Sequence, residues 1–229
     1  MTTRKVFPKL VIYAAEGDAE TSVRQLASII GSARCCRLED FTPDYYESHD
    51  YFIIGGSLEK GHVTADISAF VAANLDRLKT VKTAFFALGG TTDEAAPALA
   101  SLAAGLPADG VFAKEHIPGG KHGVDAPALA AAALRMRAGF RGMRASLPPA
   151  EVRRRVEDIL SDEAYIILCT GAGADLRATT VGYKYHDGCV YAMCEGAEKF
   201  ANILLNPRVA LALYRMPDYD GLQATGTAS

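Results

Sequence analysis

The chain has 229 residues and a formal net charge of −3, with 49% hydrophobic and 22% charged side chains. That length and balance suit one large domain or two small ones with a core of their own, and they remove any global electrostatic drive toward nucleic acid. No apolar run approaches the ~20 residues that span a bilayer. The opening MTTRKVFPK lacks the apolar stretch of a secretory signal, so a cytoplasmic location is expected.

Residues 10–15, LVIYAA, are almost continuously apolar, as a central parallel strand buried on both faces should be. Val23, Leu26, Ile29 and Ile30 then recur at helical spacing up to Gly31. A weaker strand is expected at 34–38 and a strong one at 50–56. Ile67, Phe70, Val71 and Leu75 mark the next helix. Strands at 82–90 and 110–117 alternate with alanine-rich helices near 93–104 and 126–139. Alternation of this kind implies crossover connections and a doubly wound parallel sheet with helices on both faces.

The segments YFIIGGSLEKG and ISAFVAANLDRLKTVKTAFFALGG carry a resemblance to flavodoxin-type domains, close to the flavodoxin-like protoporphyrinogen oxidases. In such a fold FMN lies beyond the carboxyl ends of the strands. The first loop, AAEGDAETS at 14–22, departs from the pattern. Ala14 and Ala15 stand where hydroxyls are expected, and Glu16, Asp18 and Glu20 surround the phosphate position. Thr21, Ser22 and Gly17 keep the family chemistry. Glu59 and Lys60 occupy the loop where an aromatic often stacks on the ring. The carboxylates also read as ordinary first-turn residues favoured by the helix dipole.

Residues 139–150 combine two glycines and two prolines, which places a boundary there and gives units 1–145 and 146–229. Seven arginines lie between 135 and 155. Their spacing to Glu151, Glu157 and Asp158 is that of exposed helix pairs. Beyond a helix from Pro149, short strand-like runs follow at 164–171, 176–186, 189–196, 209–216 and 221–229. Asp187-Gly188 is a hairpin signal. One helix interrupts this series, with Phe200, Ile203 and Leu204 on the face expected to pack on the sheet, and Asn206-Pro207 ends it. The five cysteines are odd in number and show no Cys-x-x-Cys spacing, which reads as reduced thiols. His116 and His122 lack accompanying carboxylates or thiols and make a poor metal set.

CVYAMCEGAEKFANILLNPRVALALYR resembles the centre of the split-barrel flavoproteins of the pyridoxamine 5'-phosphate oxidase type. The resemblance implies a small, mainly antiparallel split barrel that binds FMN. Arg177, Ala178, Thr179 and Thr180 would lie along the isoalloxazine edge and part of the phosphate site, and Met193 and Cys194 beside the phosphate turn. Lys199 would contact the phosphate, and Gly226 matches a glycine of the fifth strand. The turn Ala197-Glu198-Lys199 lacks the hydroxyl and second cation of the oxidase itself, which argues for a generic member of the superfamily. The sequence stops directly after the fifth strand, which leaves an edge. A partner, the first domain, or a longer chain would cover it. The implied function is a flavin-dependent oxidoreductase or electron-transfer protein, homodimeric, working with a small-molecule donor or acceptor. The alternative is a redox-inactive binding or regulatory protein that uses its first domain for docking. Haem or a deazaflavin is compatible with such a barrel, with no residue that singles it out.

Overall fold

The structure is a computed structural model and describes residues 8–120, 123–142, 147–196, 198–215 and 220–229. The chain divides into two compact units between residues 144 and 145.

The first unit runs β1 (Lys9–Ala14), α1 (Asp18–Ile30), β2 (Ala33–Arg37), a 3-10 turn (Leu38–Asp40), α2 (Tyr45–Ser48) and β3 (Tyr51–Glu59). It continues with β4 (His62–Val63), α3 (Ala65–Ala73), α4 (Leu75–Leu78), β5 (Lys82–Leu88) and α5 (Thr92–Leu102). Last come β6 (Val111–Ile117), β7 (Gly119–Gly120), β8 (Gly123–Val124) and α6 (Ala126–Gly142). Five strands pair in parallel in the order β2-β1-β3-β5-β6, and β4 turns back antiparallel onto β3. Counting the parallel strands alone, this is the 2-1-3-4-5 order of flavodoxin-like sheets.

The apolar runs of β1, β3 and β5 exist because both sheet faces are covered. Leu10 and Ile12 enter the core under α3 and α5, while Val11 and Tyr13 enter the one under α1 and α6. Gly55 has a steric cause: a Cβ there would lie 2.1 Å from the Phe86 carbonyl oxygen on β5. The long helix expected from Ile67 to Leu75 breaks at Asn74 into α3 and α4. The Asn74 side chain donates to the Phe70 carbonyl and competes with the helix ladder.

The second unit runs α7 (Pro149–Asp162), β9 (Tyr165–Ala172), β10 (Asp175–His186), β11 (Cys189–Met193), α8 (Glu198–Leu205), β12 (Arg208–Arg215) and β13 (Asp220–Thr227). The strands form an antiparallel half-barrel in the order β11-β10-β9-β12-β13. Asp187 and Gly188 both have positive φ, 48° and 78°, and close a two-residue hairpin between His186 and Cys189. Ile159 and Leu160 of α7 cover Ile166, Leu168, Val181, Tyr183 and Leu213.

Helix α8 departs from its expected orientation. Phe200 and Leu204 are exposed, and the buried side chains are Lys199 and Asn202. The reason is polar. The Asn202 amide reaches the Thr170 hydroxyl at 3.4 Å and the Asp175 carbonyl at 3.3 Å, and the Asn206 amide donates to the Gly171 carbonyl at 2.8 Å. The β9–β10 connection holds carbonyls that need donors once covered, so the helix turns its amide face inward. Among the described residues no helix is long and apolar enough to cross a membrane.

Candidate functional site

Strand order reverses between β1 and β3, and in open α/β sheets ligands sit in the crevice at the carboxyl ends flanking such a point. A crevice of about 800 Å³ lies there. Tyr13, Ala14, Ala15 and Glu16 line it from the end of β1, Arg37, Leu38 and Glu39 from the end of β2. Ser57, Glu59, Thr64, Asp66, Ala69 and Phe70 line it from β3 through α3. Parallel register sets Arg37 opposite Tyr13, and both converge on Glu20. The Tyr13 hydroxyl donates to Glu20 Oε1 at 3.0 Å, Arg24 binds the same oxygen at 2.7 Å, and Arg37 takes Oε2. Arg24 and then Arg37 hold the Glu20 carboxyl down at about 2, while burial and the bond to Glu20 push the Tyr13 phenol up. Nothing in the spacing of Arg37 from Glu20 announces this pairing, because only the parallel sheet brings them together.

The loop between β1 and α1 does not fit a phosphate. Thr21 Oγ1 donates to the Gly17 carbonyl at 3.4 Å and Ser22 Oγ to the Asp18 carbonyl at 2.9 Å. Both hydroxyls expected to keep family chemistry are thus turned back along the helix. Gly17 is the N-cap with φ 58°, and no side chain caps α1. Glu16 and Asp18 remain exposed and unpaired among the described residues. Their two charges outweigh the roughly half charge of the helix dipole.

In the second unit the seven expected site residues divide between two sheet faces. Arg177 is the register partner of Thr170, whose hydroxyl binds Asn202. With strand alternation, Arg177 and Thr179 share the face of buried Val181 and Tyr183. Cys194 packs against that same core, and Lys199 is on α8, which meets the sheet at Thr170 through Asn202. Ala178 and Thr180 point to the opposite face, as does Met193, the register partner of Gly182. Strand β11 stops at Met193, so Cys194 lies in the connection rather than in the strand. Ala197 lies outside the described residues, and no Cβ contact explains Gly226, whose surroundings are open.

Lys199 is 9% exposed. Its ammonium donates to the carbonyls of Glu195 at 3.0 Å and Gly196 at 2.6 Å, which leaves a third N–H. Among the described residues no carboxylate pairs with it. Arg177 is half-exposed and meets Asp175 at 3.5 Å. The arginine-rich stretch is spent elsewhere: Arg135 binds Glu115 at 2.6 Å, Arg137 donates to the Ile29 carbonyl, and Arg154 and Arg155 bind Glu151. Arg154 also reaches Asp158, whereas the expected Arg153–Glu157 pair is not formed. His122 and Arg144 lie outside the described residues.

No protein-family model matches the chain, and no curated protein matches it. Solved structures are similar to the first unit. The flavodoxin of Megasphaera elsdenii is 14% identical with a TM-score of 0.46, covering 57% of this chain and 98% of its own. A WrbA-like flavodoxin from Agrobacterium tumefaciens is 14% identical with a TM-score of 0.46, covering 59% and 98%. The apo form of the NADH:FMN oxidoreductase EmoB is 13% identical with a TM-score of 0.42, covering 62% and 92%. Likeness at this level describes fold and no chemistry.

Proposed function

We propose that the chain is a flavoprotein, an oxidoreductase or electron-transfer protein that holds FMN on its second unit. One observation carries this reading. Lys199 is a buried cation with two carbonyl dipoles and no counter-charge among the described residues. Buried charges are ordinarily paired, and a phosphate at the remaining N–H supplies the missing anion. Arg177 and Thr179 share that face, and the loose contact of Arg177 with Asp175 leaves it able to turn to a ligand. FMN would supply the redox chemistry, and the chain its position and electrostatics. The electron donor or acceptor is a small molecule.

Ala178, Thr180 and Met193 face outward beside Tyr165 and Ile167, which are 67% and 45% exposed. An apolar face of this kind supports a homodimer in which these residues meet the second copy. The first unit's phosphate-hostile loop favours a second reading, a redox-inactive binding protein. Replacing Lys199 by Gln keeps donors for the two carbonyls and removes the charge. Flavin titration should show FMN affinity falling about 10- to 100-fold, the worth of a charge-assisted bond, with recovery in Lys199→Arg. Unchanged FMN affinity in Lys199→Gln would remove the second unit as the flavin site. A wild-type chain that binds no FMN would leave the redox-inactive reading.

A further inference from the structure

The switch-point crevice of the first unit remains open at about 800 Å³, the size of a small-molecule site, although the loop beside it is unsuited to the group the fold implies. Its walls combine two chemistries. Ala15, Leu38 and Phe70 give an apolar surface. Glu16, Glu59 and Asp66 surround it with exposed carboxylates that have no ion-pair or hydrogen-bond partner among the described residues. The cation of the wall, Arg37, is already bound by Glu20 and Glu39. Thr64 adds an orphan: its hydroxyl oxygen is shut from solvent and has no partner among the described residues. A phosphate-bearing ligand would face net negative charge and find no hydroxyl donor at the α1 N-terminus. An uncharged or cationic tail meets no such barrier.

We propose that this crevice is a second ligand site, selective for a ring compound without an anionic tail, and that FMN is excluded from it. The site is independent of the FMN site on the second unit. Riboflavin and FMN share one ring system and differ by the phosphate, so they are the probes. They are titrated against full-length Lys199→Gln protein, with competition between the two flavins read in the same assay.

The expected result is saturable riboflavin binding with FMN at least about tenfold weaker, a gap of one factor in ten of the binding constant. Glu16→Gln combined with Asp18→Asn should narrow that gap severalfold by improving FMN alone. Both residues are exposed, so the pair of changes leaves the core untouched. FMN that binds as tightly as riboflavin and displaces it would overturn the proposal, and so would a chain that binds riboflavin nowhere. Riboflavin bound with a preference over FMN that Glu16→Gln with Asp18→Asn leaves unchanged would lie outside the crevice and overturn the proposal as well. The Lys199 comparison is read separately, as wild type against variant with FMN alone.

Discussion

At Glu20 three donors from three places meet one carboxylate, and the arrangement has a pH signature. Arg24, Arg37 and Tyr13 hold its carboxyl down at about 2, below the ordinary value near 4.5. A carboxylate depressed in the folded state contributes stability above its unfolded value, and that contribution is lost as pH falls through the folded one. The first unit should therefore lose stability between about pH 4.5 and about 2, and Glu20→Gln should flatten that part of the profile in denaturant melts. A second residue-scale test is Gly55→Ala. Its Cβ would collide with the Phe86 carbonyl oxygen in the middle of the sheet. A loss of ~3 kcal/mol or more in chemical denaturation is expected, at the upper end of overpacking costs. Glycine at 55 was plain in the sequence, but its reason was not, since the colliding atom lies on a strand 31 positions away. The same holds for Thr21 and Ser22. Their hydroxyls suited an anion by residue type, and only the structure shows them bonded to carbonyls four residues back.

Helix α8 shows where pattern reading stops at the scale of an element. The spacing of Phe200, Ile203 and Leu204 announced an amphipathic helix, and the helix is there. Periodicity identifies an apolar face without saying which face the sheet receives. Here carbonyls near the β9–β10 turn demand donors, and Asn202 and Asn206 answer them. Asn202→Leu, which would improve the pattern, should instead destabilise the second unit by about 1–3 kcal/mol, the cost of buried groups left unpaired. Phe200→Ser with Leu204→Ser should move monomer stability by no more than about 0.5 kcal/mol per site, as exposed changes do. Tyr165→Ser with Ile167→Ser, on the exposed sheet face proposed as the dimer contact, should instead shift the chain toward monomer in light scattering. Alternating strands and helices, the Asp187-Gly188 hairpin and the antiparallel series were all legible, because each is written in local periodicity or turn chemistry. The short strands β4, β7 and β8 were not, since two-residue ladders leave no period to read.

For the whole molecule, the sequence pointed to flavin through both halves, and the two units answer differently. The first has the strand order and the switch-point crevice, with carboxylates where a phosphate would sit. The second has a buried lysine that meets no carboxylate among the described residues. That lysine stood out in the sequence as the residue after the turn, but its burial and its carbonyl partners did not. The division of the other site residues between two faces follows from a period of two, which a run such as Arg177-Ala178-Thr179-Thr180 contains from the outset. The most direct measurement is FMN bound per chain at saturation, for wild type and for Lys199→Gln. Wild type should bind one equivalent, and the variant little or none at the same FMN concentration. Two equivalents in wild type, or an undiminished equivalent in Lys199→Gln, would rule out a single FMN site held by Lys199.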